Sequence, residues 1–552
     1  MIPGLTPIDI EIIRNALSAA AAEMDVTIWR TSRSTIVREL LDYSTAVFDA
    51  DGFNVAQSAR IPQHLNSMGH ALRALLDHPV AAEPWAEDDV VCTNDPYAGA
   101  QHLNDILVFR PVFFAGRRVA YVGALAHHID VGGMAPGSYA ATATELFQEG
   151  CRIPPMKLIE GGRLNQQVWA MLGANVRKPD LMLGDLQSQL ASLNVGAAAI
   201  MRLAARFGAE ALIAAQTRLL DMSEAQMRAA LAAMPDGTYE FEDFLDEDGV
   251  SGTPVRLHAA LTIAGDTATV DLSGCAPQQK AGPVNCTIGM SACAVFYALM
   301  AATDSELFPN AGCYRPVTIV APLGSVVNCR FPAPVAHRVS ITHRLANVLF
   351  GALHQAVPDR IPAAYYGGSY VASIQTVEED HHREVLVEIE IGGVGASPRA
   401  DGASAFSAGM HNNANIPVEM IEATMPLSIT RYALLPASGG VGRFRGGLGL
   451  LREWRVESPT ATFGANMERF RFAPFGLAGG GPGSLGRLTL IRDGAETPLP
   501  PKSDGNRLRR GDVVRLETSG GGGFGDPRAR EPGALARDLR EGVVTAPGVY
   551  GG

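Results

Sequence analysis

The sequence is poor in charged residues and lacks any long basic segment. Only 18% of its 552 residues are charged, and 57 acidic side chains against 45 basic ones give a formal net charge of -12. A short basic stretch, NRLRRGD, ends in an acidic residue and is typical of a solvated loop. Nucleic-acid-binding proteins carry a basic patch or stripe, so the composition excludes that class of function.

Cysteine pairs at metal-binding spacing are also absent. The seven cysteines show no CxxC motif, and the N-terminal stretch MIPGLTPIDIEI lacks the basic-then-apolar pattern of a secretion signal. An odd number of cysteines without such a signal predicts reduced thiols and a cytoplasmic location. No apolar run approaches the roughly 20 residues that span a bilayer, so no membrane segment is expected.

Apolar residues and glycine, by contrast, are abundant. Hydrophobic residues make up 47% of the chain and there are 59 glycines, and at ~100–200 residues per domain the length predicts about three domains. The changes of composition along the chain predict a mixed α+β, multi-domain fold. Its expected parts are an N-terminal α/β domain at 1–175, a helical hairpin at 176–235, a central α+β domain at 236–392 and a β-rich, glycine-rich domain at 393–552.

Capping and spacing signals predict the helices. Thr6 is placed to cap a long first helix, with Pro7 at its first position and Asp9 at its third. Further along, two runs have apolar residues every three or four positions and are separated by Gly208. These two runs predict the helical hairpin.

A hydrophobic hairpin is predicted between residues 105 and 127. DILVFRPVFFAG leads out to a turn at Gly116, and VAYVGALAHH returns. Because the two ends of a hairpin are neighbours, this hairpin would place His127 beside Asp105.

The ends of the hairpin carry residues that ligate metals. His102 and Asp105 form an HxxD motif at its start, and His127, His128 and Asp130 follow its second strand. Buried ionisable groups are costly unless they are paired or bound to a metal, and a mixture of His and Asp suits a divalent ion. Neighbouring residues of a strand point to opposite faces, so one of the two histidines points into the site. In isolation, the HxxD pair more often caps a turn.

A further acidic ligand is expected upstream of the hairpin. VRELLDYSTAVFD offers Glu39 and Asp42 just before a predicted strand. Asp42 also fits an ordinary cap between a helix and a strand. The residues alone leave the choice between the two acids open.

A second group of ionisable residues lies near residue 340. Arg338, His343 and Arg344 in HRVSITHR suit a carboxylate or phosphate, but a charged helix face is the favoured interpretation. His411 in the polar stretch MHNNANIPVE is a further candidate for the pocket.

Long segments of the chain resemble the B subunit of the hydantoinase/oxoprolinase family. In the N-terminal part these are DYSTAVFDADGFNVAQSARIPQHLNSM, TNDPYAGAQHLNDI, AHHIDVGGMAPGS and ELFQEGCRIPPMKLIEGGRLN, and towards the C-terminus ASGGVGRFRGGLGL, FGLAGGGPG and SGGGGFGDP. The resemblance runs from about residue 6 to about residue 530.

This resemblance implies an ATP-dependent enzyme that opens a cyclic amide such as a hydantoin, 5-oxoproline or a lactam. Subunits of this type work with a hydantoinase A-type partner that binds ATP and phosphorylates the substrate, so a hetero-oligomer is expected. Related subunits belong to acetone and acetophenone carboxylases. A subunit of a ketone carboxylase is therefore one alternative, and a non-catalytic scaffold subunit is another.

The resemblance also implies a divalent metal ion, for which zinc, manganese and iron all suit a His/Asp site. Matched motif by motif, its ligands are an acidic residue before the first strand, both ends of HxxD and the first histidine of HH: Asp42, His102, Asp105 and His127. The candidates for a general base or for support of the ligands are the other ionisable residues of these motifs: Glu39, His128 and Asp130.

The chain departs from the family pattern beside the HxxD motif. Gln101 and Asn104 stand where the family usually has Thr and Pro, which leaves the substrate open. The sequence has no GxxxxGK[ST] phosphate loop, and its glycine strings are interpreted as structural turns. We therefore expect the partner subunit, rather than this chain, to bind ATP.

Overall fold

Ten α-helices lie in the part of the chain that the computed structural model describes, residues 5–79, 84–303, 307–545 and 550. They are α1 (Pro7–Thr31), α2 (Thr35–Arg38), α3 (Pro62–Leu76), α4 (Gln166–Ala174), α5 (Pro179–Phe207), α6 (Ala209–Ala232), α7 (Ile288–Ala302), α8 (Arg338–Ala356), α9 (Val418–Thr424) and α10 (Pro532–Arg540). The predicted start of α1 is confirmed, because the Thr6 side chain and the Asp9 side chain each accept the other's backbone N–H.

The same residue ranges contain twenty strands. The first eleven are β1 (Tyr43–Phe48), β2 (Asn54–Gln57), β3 (Val90–Thr93), β4 (Asp105–Phe114), β5 (Arg117–His127), β6 (Met156–Glu160), β7 (Arg163–Leu164), β8 (Gly237–Leu245), β9 (Val255–Ala264), β10 (Thr267–Asp271) and β11 (Val317–Val320). The others are β12 (Tyr370–Val377), β13 (Arg383–Glu390), β14 (Leu427–Leu434), β15 (Leu450–Val456), β16 (Thr460–Asn466), β17 (Arg487–Arg492), β18 (Ala495–Pro498), β19 (Lys502–Arg509) and β20 (Val513–Glu517).

The hairpin that the sequence predicts lies at the centre of the largest sheet. This sheet has seven strands in the order β2-β1-β5-β4-β3-β6-β7. β4 and β5 pair antiparallel, and Asp105 is the direct partner of His127 in their register. The turn between them uses Gly116 at φ +75°, a conformation that glycine adopts at no steric cost.

Both faces of this sheet are covered by helices. Ile106 and Val108 of β4 join the core formed with α1 and α5, whereas Leu107 and Phe109 join the core formed with α3. This alternation is the period of two that a strand imposes. By the same period, Asp105 and His127 lie on the α3 face of the hairpin.

The predicted helical runs on either side of Gly208 are α5 and α6. By length and composition alone, α5 could cross a membrane, which corrects the expectation that no segment approaches that length. One side of α5 packs on α1 and on the β4–β5 hairpin, as a core helix does.

Three further sheets complete the mixed α+β fold in the described residues. Their strand orders are β11-β10-β9-β8, β13-β12-β16-β19 and β14-β15-β20-β17-β18. The last two make the C-terminal part β-rich, in agreement with the prediction. The domain boundary at residue 392 stays a prediction, and the sheet β13-β12-β16-β19 takes strands from both sides of it.

The glycine strings of the C-terminal part pack against one another through their backbones. The N–H of Gly440 donates to the carbonyl of Gly521 at 2.8 Å, and the N–H of Gly521 donates to the carbonyl of Gly447 at 3.0 Å. A Cβ atom added to Gly446 would lie 1.9 Å from the Gly521 carbonyl oxygen, so no larger residue fits. These contacts support the interpretation of the strings as structural turns.

Candidate metal centre

The two ends of the β4–β5 hairpin and the loop before it bring three potential ligands together. His102, Asp105 and His127 each offer a ligand atom, and these atoms all lie within 4.8 Å of one another. The side chains are buried, with relative exposures of 1%, 0% and 2%. The predicted grouping of these three residues is therefore present in the fold.

The contacts within this triad orient its rings. His102 Nε2 lies 3.2 Å from Asp105 Oδ2, and the His102 and His127 rings are 5.1 Å apart between centroids. The Tyr139 hydroxyl lies 3.0 Å from His127 Nε2. Nδ1 is thus the nitrogen of His127 that remains available to a ligand.

Several polar atoms of the triad are buried without a partner. Among the described residues, nothing forms a hydrogen bond with His102 Nδ1, Asp105 Oδ1 or His127 Nδ1. A buried unsatisfied polar atom costs about 1–3 kcal/mol. Unpartnered ring nitrogens beside an unpartnered carboxylate oxygen are the donor set that a divalent ion requires.

The electrostatic environment holds the triad in the protonation state of metal ligands. Burial, followed by the charge of Arg338, lowers the pKa of His102 to about 4. Burial also lowers the pKa of His127 well below its usual value. For Asp105 burial acts in the opposite direction, but the neighbouring His102 and Arg338 outweigh it and lower the pKa. At neutral pH the imidazoles are neutral and the carboxylate is ionised, as ligation requires.

Asp42 lies at the wall of the same site. Its backbone carbonyl accepts a hydrogen bond from the His127 N–H at 3.0 Å, and its carboxylate is 3.4 Å from His64 Nε2. Burial, and then the charge of Asp105, raise the pKa of Asp42 well above its usual value. A neighbouring negative charge disfavours the ionised form of a carboxyl, so a bound cation would favour ionisation of Asp42.

His64 was missed by the sequence reasoning. It lies in α3, its Nδ1 is 3.3 Å from the Ser44 hydroxyl, and burial lowers its pKa to about 4. Its only sequence signal is its place in IPQHLNSM, inside a segment that carries the family resemblance.

The triad borders a small cavity that later parts of the chain complete. Its free volume is about 20 Å³, enough for one water-sized group. The lining residues that carry polar groups are Asp42, Gln63, His64, His127, Tyr139, Arg338, Ser369, His411 and Asn413. His411 is thus at the pocket, as the sequence suggested, and its Nε2 lies 2.8 Å from the Ser369 hydroxyl.

The expectation of a charged, solvent-facing side for α8 is wrong. Arg338, His343 and Arg344 have relative exposures of 3%, 0% and 0%, because α8 is packed between α7 and the strands β8 and β9. The Arg338 guanidinium donates to Asp105 Oδ2 at 2.8 Å. Arg344 is paired with the buried Glu468.

The residues predicted as general base make contacts that favour supporting roles. Glu39 is partly exposed and pairs with the adjacent Arg38. His128 lies on the α5 face, where its Nε2 is 3.1 Å from Gln189 Oε1. The Asp130 carboxylate accepts four hydrogen bonds, two from Arg177 and two from backbone N–H groups of its own loop. The described contacts place none of these three side chains at the cavity.

Gln101 and Asn104, which directly precede His102 and Asp105 in the chain, brace the site. The Gln101 amide donates to the Ser67 hydroxyl at 2.7 Å, which ties the HxxD loop to α3. The Asn104 amide donates to the His128 carbonyl at 3.0 Å, which ties that loop to the end of β5.

The chain is similar to known proteins over nearly its whole length. Residues 6–527 match the family model described as hydantoinase B/oxoprolinase. The caprolactamase subunit beta of Pseudomonas jessenii is 31% identical over 557 residues, which cover 98% of this chain and 94% of that one. The 5-oxoprolinase of Dictyostelium discoideum is 28% identical over 532 residues, which are 94% of this chain but 40% of that longer protein.

Two solved structures share the fold. The crystal structure of the ATP-dependent caprolactamase from Pseudomonas jessenii aligns with a TM-score of 0.90 at 30% identity, covering 98% of this chain and 95% of that one. A nucleotide-free structure of acetone carboxylase aligns with a TM-score of 0.89 and covers 98% and 78% of the two chains. At 21% identity, this second likeness is one of fold alone.

Proposed function

This chain belongs to the hydantoinase B/oxoprolinase family, and from that premise we propose that it is the metal-holding subunit of an ATP-dependent enzyme that opens cyclic amides. The relatives named caprolactamase and 5-oxoprolinase support a lactam or a related ring as the substrate. We further propose that the enzyme is a hydrolase, which opens the ring with water, rather than a carboxylase.

One observation carries this proposal. His102, Asp105 and His127 present ligand atoms within 4.8 Å of one another in the interior. Among the described residues, no hydrogen-bond partner satisfies the Nδ1 atoms of the two histidines or Oδ1 of the aspartate. A scaffold would gain nothing from such atoms, because each one lowers stability unless a ligand occupies it.

We propose four ligands for the metal, namely the predicted set Asp42, His102, Asp105 and His127. Neutral imidazole nitrogens and carboxylate oxygens suit zinc, manganese and iron. A divalent ion held by such residues supplies Lewis acidity and lowers the pKa of water from about 15.7 to about 7. Glu39 stays the alternative acidic ligand from the sequence, although its pairing with Arg38 favours Asp42.

The surrounding side chains would orient these ligands. Tyr139 would hold His127 through Nε2, which leaves Nδ1 without a hydrogen-bond partner among the described residues. His64 is positioned between the Ser44 hydroxyl and the Asp42 carboxylate. Such supporting contacts typically change metal affinity by about 10–100-fold when they are removed. The ligand side chains are themselves buried, which would limit the access of bulk water to the ligand atoms.

The proposed function also requires a partner subunit. The name "subunit beta" of the caprolactamase relative supports a hetero-oligomer, and the sequence carries no GxxxxGK[ST] loop. We therefore propose that an A-type partner binds ATP and phosphorylates the substrate. Tight association with this chain would protect the activated substrate from water.

Metal analysis with the wild-type chain tests the proposal. We expect about one divalent ion per chain, and its loss in Asp105→Asn, which keeps the side-chain volume. Asp88→Asn is the control, since Asp88 is 56% exposed and should retain the ion. Circular dichroism of each variant checks that the fold is kept.

Ring-opening assays with the partner subunit complete the test. We expect ATP-dependent opening of caprolactam, 5-oxoproline or a hydantoin, abolished by Asp105→Asn. Turnover of acetone with bicarbonate instead would assign the chain to the carboxylases. A folded Asp105→Asn variant with full activity would contradict a catalytic role of this site and would favour a non-catalytic scaffold subunit.

A further inference from the structure

The cavity next to the triad has hydrogen-bond donors without acceptors. Arg338 is 3% exposed, and its Nη2 donates a hydrogen bond to Asp105 Oδ2 at 2.8 Å. Within the described part of the chain, Nε of Arg338 has no acceptor. The buried Nδ2 of Asn413 meets no acceptor in good hydrogen-bond geometry, although the Asn413 side chain is near enough to Asp42 to favour the ionised form of that carboxyl. A buried guanidinium nitrogen without a partner lowers the stability of the fold. The Arg338 side of the cavity therefore favours a bound group that supplies the missing acceptor.

These donors converge on one place. Arg338 and Asn413 line the same cavity as Asp42 and His127. The Ser369 hydroxyl, also at the cavity wall, adds a third polar group, held by His411 Nε2 at 2.8 Å. Donors from α8 and from the segment before α9, together with the hydroxyl just before β12, thus surround one small space.

The charge balance of the site matches an anion. The ionisable groups around the cavity and the triad are two carboxylates, one guanidinium, four histidines and one tyrosine: Asp42, Asp105, Arg338, His64, His102, His127, His411 and Tyr139. A phenol is neutral at neutral pH and an imidazole is neutral or positive, so the two carboxylates are the only negative groups in this set. A divalent ion and Arg338 together outweigh the two carboxylates and leave a net positive site.

We propose that Arg338, Asn413 and Ser369 form an oxyanion subsite directly beside the metal ligands. It takes an oxygen of the phosphoryl group on the activated substrate, and in this respect it rests on the proposed function. The cavity volume of about 20 Å³ accommodates one oxygen-sized group. Arginine suits this role because its planar donors match phosphate and carboxylate oxygens.

Titration of the metal-loaded full chain with inorganic phosphate tests the subsite, and acetate is titrated in parallel. We expect wild type to bind phosphate and Arg338→Met to bind it about 10–100-fold more weakly, since hydrogen bonds to charged groups are lost. Arg338→Lys keeps the charge without the planar donors and should fall between the two. Asn413→Asp places a carboxylate at the wall and should weaken binding without removing Arg338.

Arg73→Met is the matched control, because Arg73 lines a separate groove beside Phe53 and should leave phosphate affinity unchanged. Metal content is measured in every variant. If Arg338→Met does not fold, Asn413→Asp carries the comparison. Acetate binding that depends on Arg338 would support the subsite and assign it to a substrate carboxylate instead.

Phosphorus NMR tests whether the bound phosphate lies beside the metal. With manganese as the metal, we expect enhanced ³¹P relaxation of bound phosphate in wild type and its loss in Arg338→Met. Equal phosphate affinity in wild type and Arg338→Met, or no phosphate binding by a metal-loaded chain, would overturn the subsite while the metal centre stands. The chain could also take up no metal and still bind phosphate in a way that depends on Arg338. That result would support the subsite and contradict the proposed metal centre.

Discussion

Two neighbouring histidines have different chemistry because the strand turns them to opposite faces of the sheet. His127 faces α3 and the triad, and its Nδ1 has no partner among the described residues. His128 faces α5, where its Nε2 meets the Gln189 amide oxygen at 3.1 Å. A difference of one position therefore separates a proposed metal ligand from a residue that ties the hairpin to a helix.

Substitution of each histidine by glutamine should separate these roles. His127→Gln is expected to lose metal by more than the roughly 10–100-fold that follows removal of a supporting residue. His128→Gln should keep the metal and lose about 1–3 kcal/mol of stability through the buried contact with Gln189. Metal titration and urea denaturation measure the two effects, and equal metal loss in both variants would contradict the assignment.

Glu149 is a buried acid that affects stability through its proton. Its Oε1 accepts the Ala336 N–H at 2.8 Å, two residues before Arg338, and burial raises its pKa from 4.5 to about 8. Between these two pH values the folded chain holds a proton that the unfolded chain releases. The contribution of Glu149 to stability is thus full below about pH 4.5 and is lost as the pH rises to about 8.

Glu149→Gln should remove this pH dependence, because glutamine keeps an acceptor for Ala336 and does not titrate. The free energy of unfolding of the variant minus that of wild type should increase with pH by at most about 1.4 kcal/mol per unit. Urea denaturation between about pH 5 and about pH 8 measures it. A difference that stays flat would show that Glu149 is ionised throughout.

At the scale of elements, the β4–β5 hairpin sets the spacing of the site. Asp105 and His127 are direct partners at its open end, while Gly123 and Phe109 pair further along. A Cβ atom at Gly123 would lie 2.6 Å from the Phe109 ring. The close approach of the two strands thus depends on a glycine in the interior of β5.

Gly123→Ala should therefore destabilise the hairpin by about 1–3 kcal/mol through overpacking, and it should weaken metal binding at the displaced ends. The control is Gly116→Asn at the tip of the hairpin, where φ is +75°. No described atom lies within 4 Å of a Cβ atom added there. Asparagine tolerates this left-handed conformation. Thermal unfolding compares the two, and an unaffected Gly123→Ala would mean that Phe109 moves freely.

At the scale of the whole molecule, the site forms where distant parts of the chain meet. The triad belongs to the first sheet, Arg338 begins α8, and Ser369 and His411 come from segments near β12 and α9. The cavity is thus complete only when the N-terminal sheet has packed on the later parts. It lies within one chain, but the proposed chemistry needs a second.

The chain alone should neither bind ATP tightly nor hydrolyse it, because its sequence has no GxxxxGK[ST] loop. Addition of the A-type partner should give ATP turnover that depends on a cyclic amide. Calorimetric titration with ATP and an assay of ADP release test this expectation. ATP turnover by the purified chain without its partner would refute the division of roles.

The sequence by itself determined the features that depend on short-range physics. The Thr6 cap, the helices around Gly208 and the pairing of Asp105 with His127 follow from capping, periodicity and a tight turn. It also determined three members of the cluster, since HxxD and HH lie at the two ends of a single hairpin.

Only the tertiary structure decided what surrounds that cluster. His64, Arg338 and Ser369 reach the cavity through packing between segments far apart in the chain, which no local period encodes. The burial of α8 likewise follows from neighbours on every side, whereas its sequence resembles an exposed charged helix. Spacing along the chain thus predicted that His102, Asp105 and His127 lie together, and long-range packing decided which charges lie beside them.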